Sequence, residues 1–179
     1  MIDLLFISGS LRADSSSHVV LRTLAEMMSE DVRVTMSDAL AGLPHFDGSD
    51  IAPETVLSFR SAVSAADGVI ICSPEYAFGV PGTLKNALDW TVTSGEFINK
   101  PVALITAATS GEHAHASLLL TLRAISAMVE DQHTLLIPYI RSRVKNGVLT
   151  DGATVDSLRI LASSFVESVV QSRLNKLIS

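Results

Sequence analysis

Short apolar runs rich in β-branched residues alternate along this chain with longer segments of helical period, the pattern of βαβ units that build a mostly parallel sheet. Five runs carry it: Ile2 to Ser8, Val32 to Met36, Gly68 to Ser73, Pro101 to Ala107 and Thr134 to Tyr139. The first, third and fourth are nearly continuous in apolar residues, as strands covered on both faces must be, and so belong at the centre of the sheet. Between the runs, Val20, Leu21, Leu24 and Met28 share one helical face, and Val56, Phe59, Val63 and Ala66 share another. Leu118, Leu122, Ile125 and Val129 form a third stripe, and Leu158, Leu161, Phe165 and Val169 a closing helix. A shorter helix is expected from Thr83 to Trp90. The stretch from Asp38 to Pro53, punctuated by Gly42, Pro44 and Gly48, reads as a connecting loop.

A chain of 179 residues with 47% apolar content can bury one sizeable core, and residues 1–179 are expected to form a single domain. Lys and Arg number 13 against 19 for Asp and Glu, which speaks against a general nucleic-acid binder, since that role needs a basic face to displace counterions. With Cys72 the only cysteine there is no intrachain disulfide framework and no multi-cysteine metal site, so a reducing compartment, the cytoplasm, is the expectation. Met1-Ile2-Asp3-Leu4-Leu5-Phe6-Ile7 carries an acid and no basic leader, and reads as a first strand. The apolar stretches fall far below the roughly 20 residues a membrane span requires.

In an open α/β sheet, ligands sit beyond the carboxyl ends of the strands, so the loops leaving the buried runs are where chemistry is expected. The first, Ser8 to His18, offers small hydroxyl residues and free N–H groups at a helix start, and Arg12 adds a planar cation suited to phosphate. It has neither the Gly-x-Gly-x-x-Gly fingerprint nor a Gly-Lys-Ser/Thr ending, which makes a monophosphate the better ligand. Taken alone, a serine-rich turn with a helix cap accounts for the same residues. The second loop, from Ser73 to Trp90, places two prolines and two glycines directly after a buried strand. Its backbone amides can meet the polar edge of a flat ring, with Tyr76 and Phe78 as apolar walls.

Gly9-Ser10-Leu11-Arg12 followed by Ser17, then Pro74-Glu75-Tyr76 and Pro81-Gly82-Thr83-Leu84-Lys85-Asn86-Ala87-Leu88-Asp89-Trp90, closely resembles the NADPH-dependent FMN reductase family, which includes bacterial chromate, quinone and azo-dye reductases. The resemblance spans most of the chain. It implies an α/β, flavodoxin-like three-layer sandwich with a five-stranded parallel sheet in the order 2-1-3-4-5. It also implies non-covalent FMN and ping-pong transfer from NADPH or NADH to a small acceptor, in a homodimer or homotetramer. By the same resemblance, Ser10, Arg12, Ser17 and His18 match phosphate-loop positions, and Pro74, Glu75, Tyr76, Ala77 and Phe78 match the turn that meets the flavin ring. Ser110 and Gly111 fall in the loop that meets the flavin edge. This chain departs from the family at His18 and Ala77, where Asn is usual, and at Gly79, where Ser is common. Glu112-His113-Ala114-His115 replaces a glycine-rich segment. No catalytic side chain is expected, because the flavin performs the chemistry.

The remaining polar and reactive residues have plainer readings. His113 and His115, two apart, do not share a helical face, so no metal site is expected. Cys72 sits inside a buried strand pattern and reads as a small core residue. Trp90 is expected to pack, and Lys85, Asn86 and Asp89 to brace the turn and helix. Arg141-Ser142-Arg143-Val144-Lys145 reads as a solvated face, with a nicotinamide phosphate or a neighbouring subunit as the other option. The rival functions are a flavodoxin-type electron carrier and a flavin-free regulatory or binding module. A hydrolase is disfavoured, since no Gly-x-Ser-x-Gly elbow is present.

Overall fold

Strands β1 (Ile2–Ser8), β3 (Gly68–Ser73) and β4 (Val102–Ala107) form the middle of the sheet, and β3 and β4 are buried at every position. The structure, a computed structural model, describes residues 1–49 and 51–178, with side chains described to residue 175. The order is β2-β1-β3-β4-β5, all pairs parallel, with β2 (Val32–Ser37) and β5 (Thr134–Ile137) at the edges. Edge strand β2 is nowhere fully buried, as its mixed Val-Arg-Val-Thr sequence anticipates.

Successive strand residues point to opposite faces, so one sheet feeds two cores. Leu4, Phe6, Ile70 and Cys72 meet α1 (Ser16–Glu26) and α6 (Gly152–Ile178) through Val20, Leu21, Leu24, Leu158 and Phe165. Leu5, Ile7, Ile71 and Leu104 meet α2 (Glu54–Ala65), α3 (Gly82–Asp89) and α4 (Glu112–Ala124) through Phe59, Val63, Leu84, Leu88, Leu118 and Leu122. Each of these larger side chains contributes about 1.5–3 kcal/mol by leaving water. Three residues of the expected stripes, Met28, Ile125 and Val129, lie beyond the ends of α1 and α4 and pack only partly buried, while Ala66, one residue past α2, is buried.

The tail of the fifth run differs from expectation. Strand β5 stops at Ile137 because Pro138 lacks an N–H for the ladder, and the chain turns through left-handed Tyr139 (φ 54°) into a short helix, α5 (Ile140–Arg143). A small antiparallel hairpin, β6 (Val144–Lys145) with β7 (Val148–Leu149), follows. Its turn residues, Asn146 (φ 50°) and Gly147 (φ 75°), both lie in the left-handed region that an Asn-Gly hairpin turn demands.

The connection between β2 and α2 contains a 3-10 turn at Ala39–Ala41 and is pinned by the long motif of α3; Asp50 of this connection lies outside the described residues. Asn86 accepts from Phe46 N–H (2.8 Å) and donates to the Pro44 carbonyl (2.9 Å), while buried Trp90 donates its indole N–H to the same carbonyl (2.8 Å). The Arg60 guanidinium donates to the Trp90 carbonyl. Among the described residues no helix is long and apolar enough to cross a membrane.

Candidate functional site

The strand order reverses between the paired strands β1 and β3, and the loops leaving them run to opposite faces of the sheet, to α1 and to α3. Gly9 permits the close approach of the two strand ends: its N–H donates to the Cys72 carbonyl (2.8 Å), and a Cβ there would lie 2.6 Å from Ser73 Oγ. Beyond it the chain folds on its own hydroxyls. Ser8 Oγ donates to the Ser10 carbonyl (3.0 Å), and Arg12 N–H donates to Ser10 Oγ (3.3 Å). Ser15 caps α1, its Oγ accepting from His18 N–H (3.3 Å). That leaves the amides of Ser16 and Ser17, at the helix start, without an intrahelical acceptor.

The loop after β3 makes a tight turn in which Tyr76 and Gly79 exchange backbone hydrogen bonds (3.1 and 2.9 Å). Its central residues, Ala77 (φ 48°) and Phe78 (φ 60°), are both left-handed, a conformation for which Asn and Gly are better suited. The Tyr76 hydroxyl lies 3.3 Å from Ser10 Oγ and so links this turn to the first loop. Glu75 reaches in the other direction, accepting from the amides of Gly111 (3.2 Å) and Ala114 (2.9 Å) at the start of α4. The Ala114 amide foremost, with that of Gly111, holds its carboxyl below the usual carboxylate range against the opposing effect of partial burial.

Between these loops lies a cavity of about 470 Å³, within the size range of ligand sites. Six residues expected from the sequence line it: Ser10, Arg12, Ser17, Pro74, Glu75 and Tyr76. Asp14, Ser15, Ser16, Ala107, Ala108, Thr109, Ile140 and Arg141 complete the lining. The expected residue His18 lines a separate depression with Leu11 and Arg22; its Nδ1 lies 2.9 Å from Ser15 Oγ and 3.1 Å from Ser8 Oγ. Burial first, and the Arg22 charge second, push its pKa down. Ala77 and Phe78 lie exposed at the turn tip outside the lining, where the Phe78 ring meets His113 edge-on at 5.4 Å. Ser110 is exposed and Gly111 (φ 95°) makes the turn into α4, so the third loop reaches the cavity through Ala107, Ala108 and Thr109 instead. His115 is engaged elsewhere, its Nδ1 2.9 Å from Thr106 Oγ1. No cluster of three His, Cys, Asp or Glu suited to a metal occurs among the described residues.

Two lining residues define the chemistry at the helix end. Ser17 is buried, and its Oγ has no hydrogen bond of ordinary geometry among the described residues. Its neighbour is the Cys72 thiol, whose pKa burial pushes up to about 12 with the Ser17 hydroxyl as the opposing influence. Arg12 is exposed and paired with Asp14 at 3.0 Å, which raises the arginine's pKa and lowers the aspartate's. A helix start with an unpartnered buried hydroxyl fits a phosphate, and the aromatic turn beside it fits the ring the phosphate would carry.

The sheet order and the cavity beyond the carboxyl ends of β1, β3 and β4 define a flavodoxin-like protein. Residues 2–141 match the family profile described as NADPH-dependent FMN reductase, and the chain belongs to that family. It is 30% identical over 178 residues to a quinone reductase of Escherichia coli K12, covering 93% of this chain and 94% of that protein. It is also 30% identical over 161 residues to an NAD(P)H-dependent FMN reductase of Pseudomonas aeruginosa, covering 87% of this chain and 85% of that one. Among solved structures, FerB of Paracoccus denitrificans, a flavoenzyme NAD(P)H:(acceptor) oxidoreductase, superposes with a TM-score of 0.83 at 25% identity, covering 96% of this chain and 99% of that one.

Proposed function

We propose that this chain is an NAD(P)H-dependent FMN oxidoreductase that delivers reducing equivalents to a small acceptor such as a quinone, a flavin, chromate or an azo compound. The observation that carries this reading is the meeting, at one sheet edge, of the α1 start with its unpartnered Ser17 hydroxyl and the Pro74–Gly79 turn that Tyr76 ties to Ser10. Bound FMN would supply the hydride chemistry between a reduced nicotinamide and an acceptor. The protein's part is position and electrostatics. The Ser16 and Ser17 amides and the Ser10 and Ser17 hydroxyls would hold a phosphate of about two negative charges. The Tyr76–Gly79 exchange leaves the Ala77 and Phe78 amides out of the ladder, so a backbone donor offered by this turn would not depend on the missing Asn side chain at Ala77. Glu75, fixed to α4, sets the height of that turn and is a positioning residue.

We also read the chain as one domain, a cytoplasmic protein and a homodimer or homotetramer. Tyr76 and Phe78 are 52% and 74% exposed beside the cavity, an apolar rim that a second copy would cover, and sedimentation at micromolar concentration checks this. The main test is reconstitution. Titration with FMN should quench flavin fluorescence with a Kd of about 1 μM or tighter, and stopped-flow mixing with NADPH or NADH should then bleach the bound flavin. Absence of binding would sink the redox reading, whereas binding without steady-state nicotinamide oxidation would point to an electron carrier.

A further inference from the structure

The sequence reads Arg141-Ser142-Arg143-Val144-Lys145 as a solvated face, but the fold separates its two arginines. Arg143 is structural: it donates to the Pro138 carbonyl (3.0 Å), Asp151 Oδ2 (2.9 Å) and Thr154 Oγ1 (2.8 Å). Arg141 lines the cavity and makes no ion pair or hydrogen bond among the described residues. Its carrier is firmly placed. Tyr139 N–H and Ile140 N–H donate to the carbonyls of Thr109 and Ala108 (both 3.1 Å), fastening α5 to the end of β4, and Ile140 is buried.

The ionised side chains lining the cavity are Arg12, Asp14, Glu75 and Arg141. Arg12 is matched by Asp14 through Nε–Oδ1 at 3.2 Å and Nη2–Oδ2 at 3.0 Å, so this pair presents almost no net charge to an anion. Glu75 is turned to the α4 amides and adds none of the needed sign. Arg141 is thus the one cation of the lining without a partner among the described residues, and it comes from the segment after β5, fastened to the end of β4, rather than from the phosphate loop. We propose that Arg141 is the residue that clamps the FMN phosphate in this chain, with its planar guanidinium free to bind two phosphate oxygens at once. The inference rests on the FMN reading. It adds that selection of phosphorylated over unphosphorylated flavin resides in the segment after β5, with Arg12 in a lesser role.

The test compares FMN and riboflavin dissociation constants by fluorescence quenching, in wild type, Arg141→Gln, Arg141→Lys, Arg12→Gln and the double variant Arg141→Gln with Asp14→Asn. Thermal unfolding of each apoprotein controls for folding. Arg141→Gln should weaken FMN at least tenfold, leave riboflavin within twofold and leave the unfolding midpoint unchanged. Arg141→Lys should recover part of the loss, and Arg12→Gln should weaken FMN threefold or less. Asp14→Asn should partly rescue Arg141→Gln by releasing Arg12. Unchanged FMN affinity in Arg141→Gln overturns the proposal, as does equal weakening of both flavins. So does a rise in the KM for NADPH but not NADH at constant FMN affinity, which would assign the cation to the nicotinamide phosphate. Wild type binding neither flavin overturns the FMN reading and this proposal together, a result distinct from all the others.

Discussion

Between Ser8 and Ser17 the chain after β1 buries Ser8, Ser10 and Ser17 and turns on bonds among its own hydroxyls and amides. Between Pro74 and Gly79 the chain after β3 does the reverse, leaving Tyr76 and Phe78 exposed and holding Ala77 and Phe78 in the left-handed region. The two segments touch through Ser10 and Tyr76 and share one cavity. Their difference follows from what each would bind. A phosphate keeps its charge throughout turnover, so its cradle gains from being ordered beforehand. A ring that must meet two partners in succession needs an open face, and strained backbone is found at such places.

The comparison can be broken most forcefully at Glu75, which joins the strained turn to α4. Glu75→Ala removes the acceptor for two amides at a helix start and should lower stability by about 2 kcal/mol in urea unfolding. The same residue gives a pH signature. Its folded pKa is depressed, so its contribution is complete above the unfolded value of about 4.3 and is lost as pH falls through the folded one. Wild type should therefore lose stability below about pH 4.3 by more than Glu75→Gln does, and parallel acid-unfolding curves would contradict this.

At the phosphate end, Ser17→Ala removes a buried hydroxyl whose polar neighbour is the Cys72 thiol. Apoprotein stability should hold or rise slightly, while FMN affinity falls about tenfold, or 1.4 kcal/mol. Loss of stability without loss of affinity would make Ser17 a packing residue only. At the turn, Ala77→Gly relieves a left-handed alanine and should stabilise the apoprotein by about 1 kcal/mol. Phe78→Ala should move stability by no more than about 0.5 kcal/mol, as expected for an exposed residue, and its effect should appear in the KM for a quinone.

The strands were legible because central parallel strands must be apolar on both faces, and Gly68–Ser73 and Val102–Ala107 leave little else to read. The apolar pattern carries the fifth run two residues past the end of its strand, because it continues through Pro138 while the ladder cannot. Asn146-Gly147 was a readable hairpin signal that the basic residues around it obscured. At the site, the loops were legible from their place after buried strands, but side-chain direction was not. In the first turn of α1 each residue rotates by about 100°, which puts Ser17 on the cavity and His18 on the depression behind it. Arg141 reaches the cavity only because the chain after β5 folds back over the end of β4, a non-local event with no local sequence signature.

Cys72, the only thiol of the chain, lies fully buried behind Ser17, and burial pushes its pKa up to about 12. Soft electrophiles add to thiolates, and a thiol whose pKa burial raises this far stays protonated at neutral pH. Placed behind Ser17, the chain's one thiol is thereby both shielded from an electrophile admitted to the cavity and held protonated.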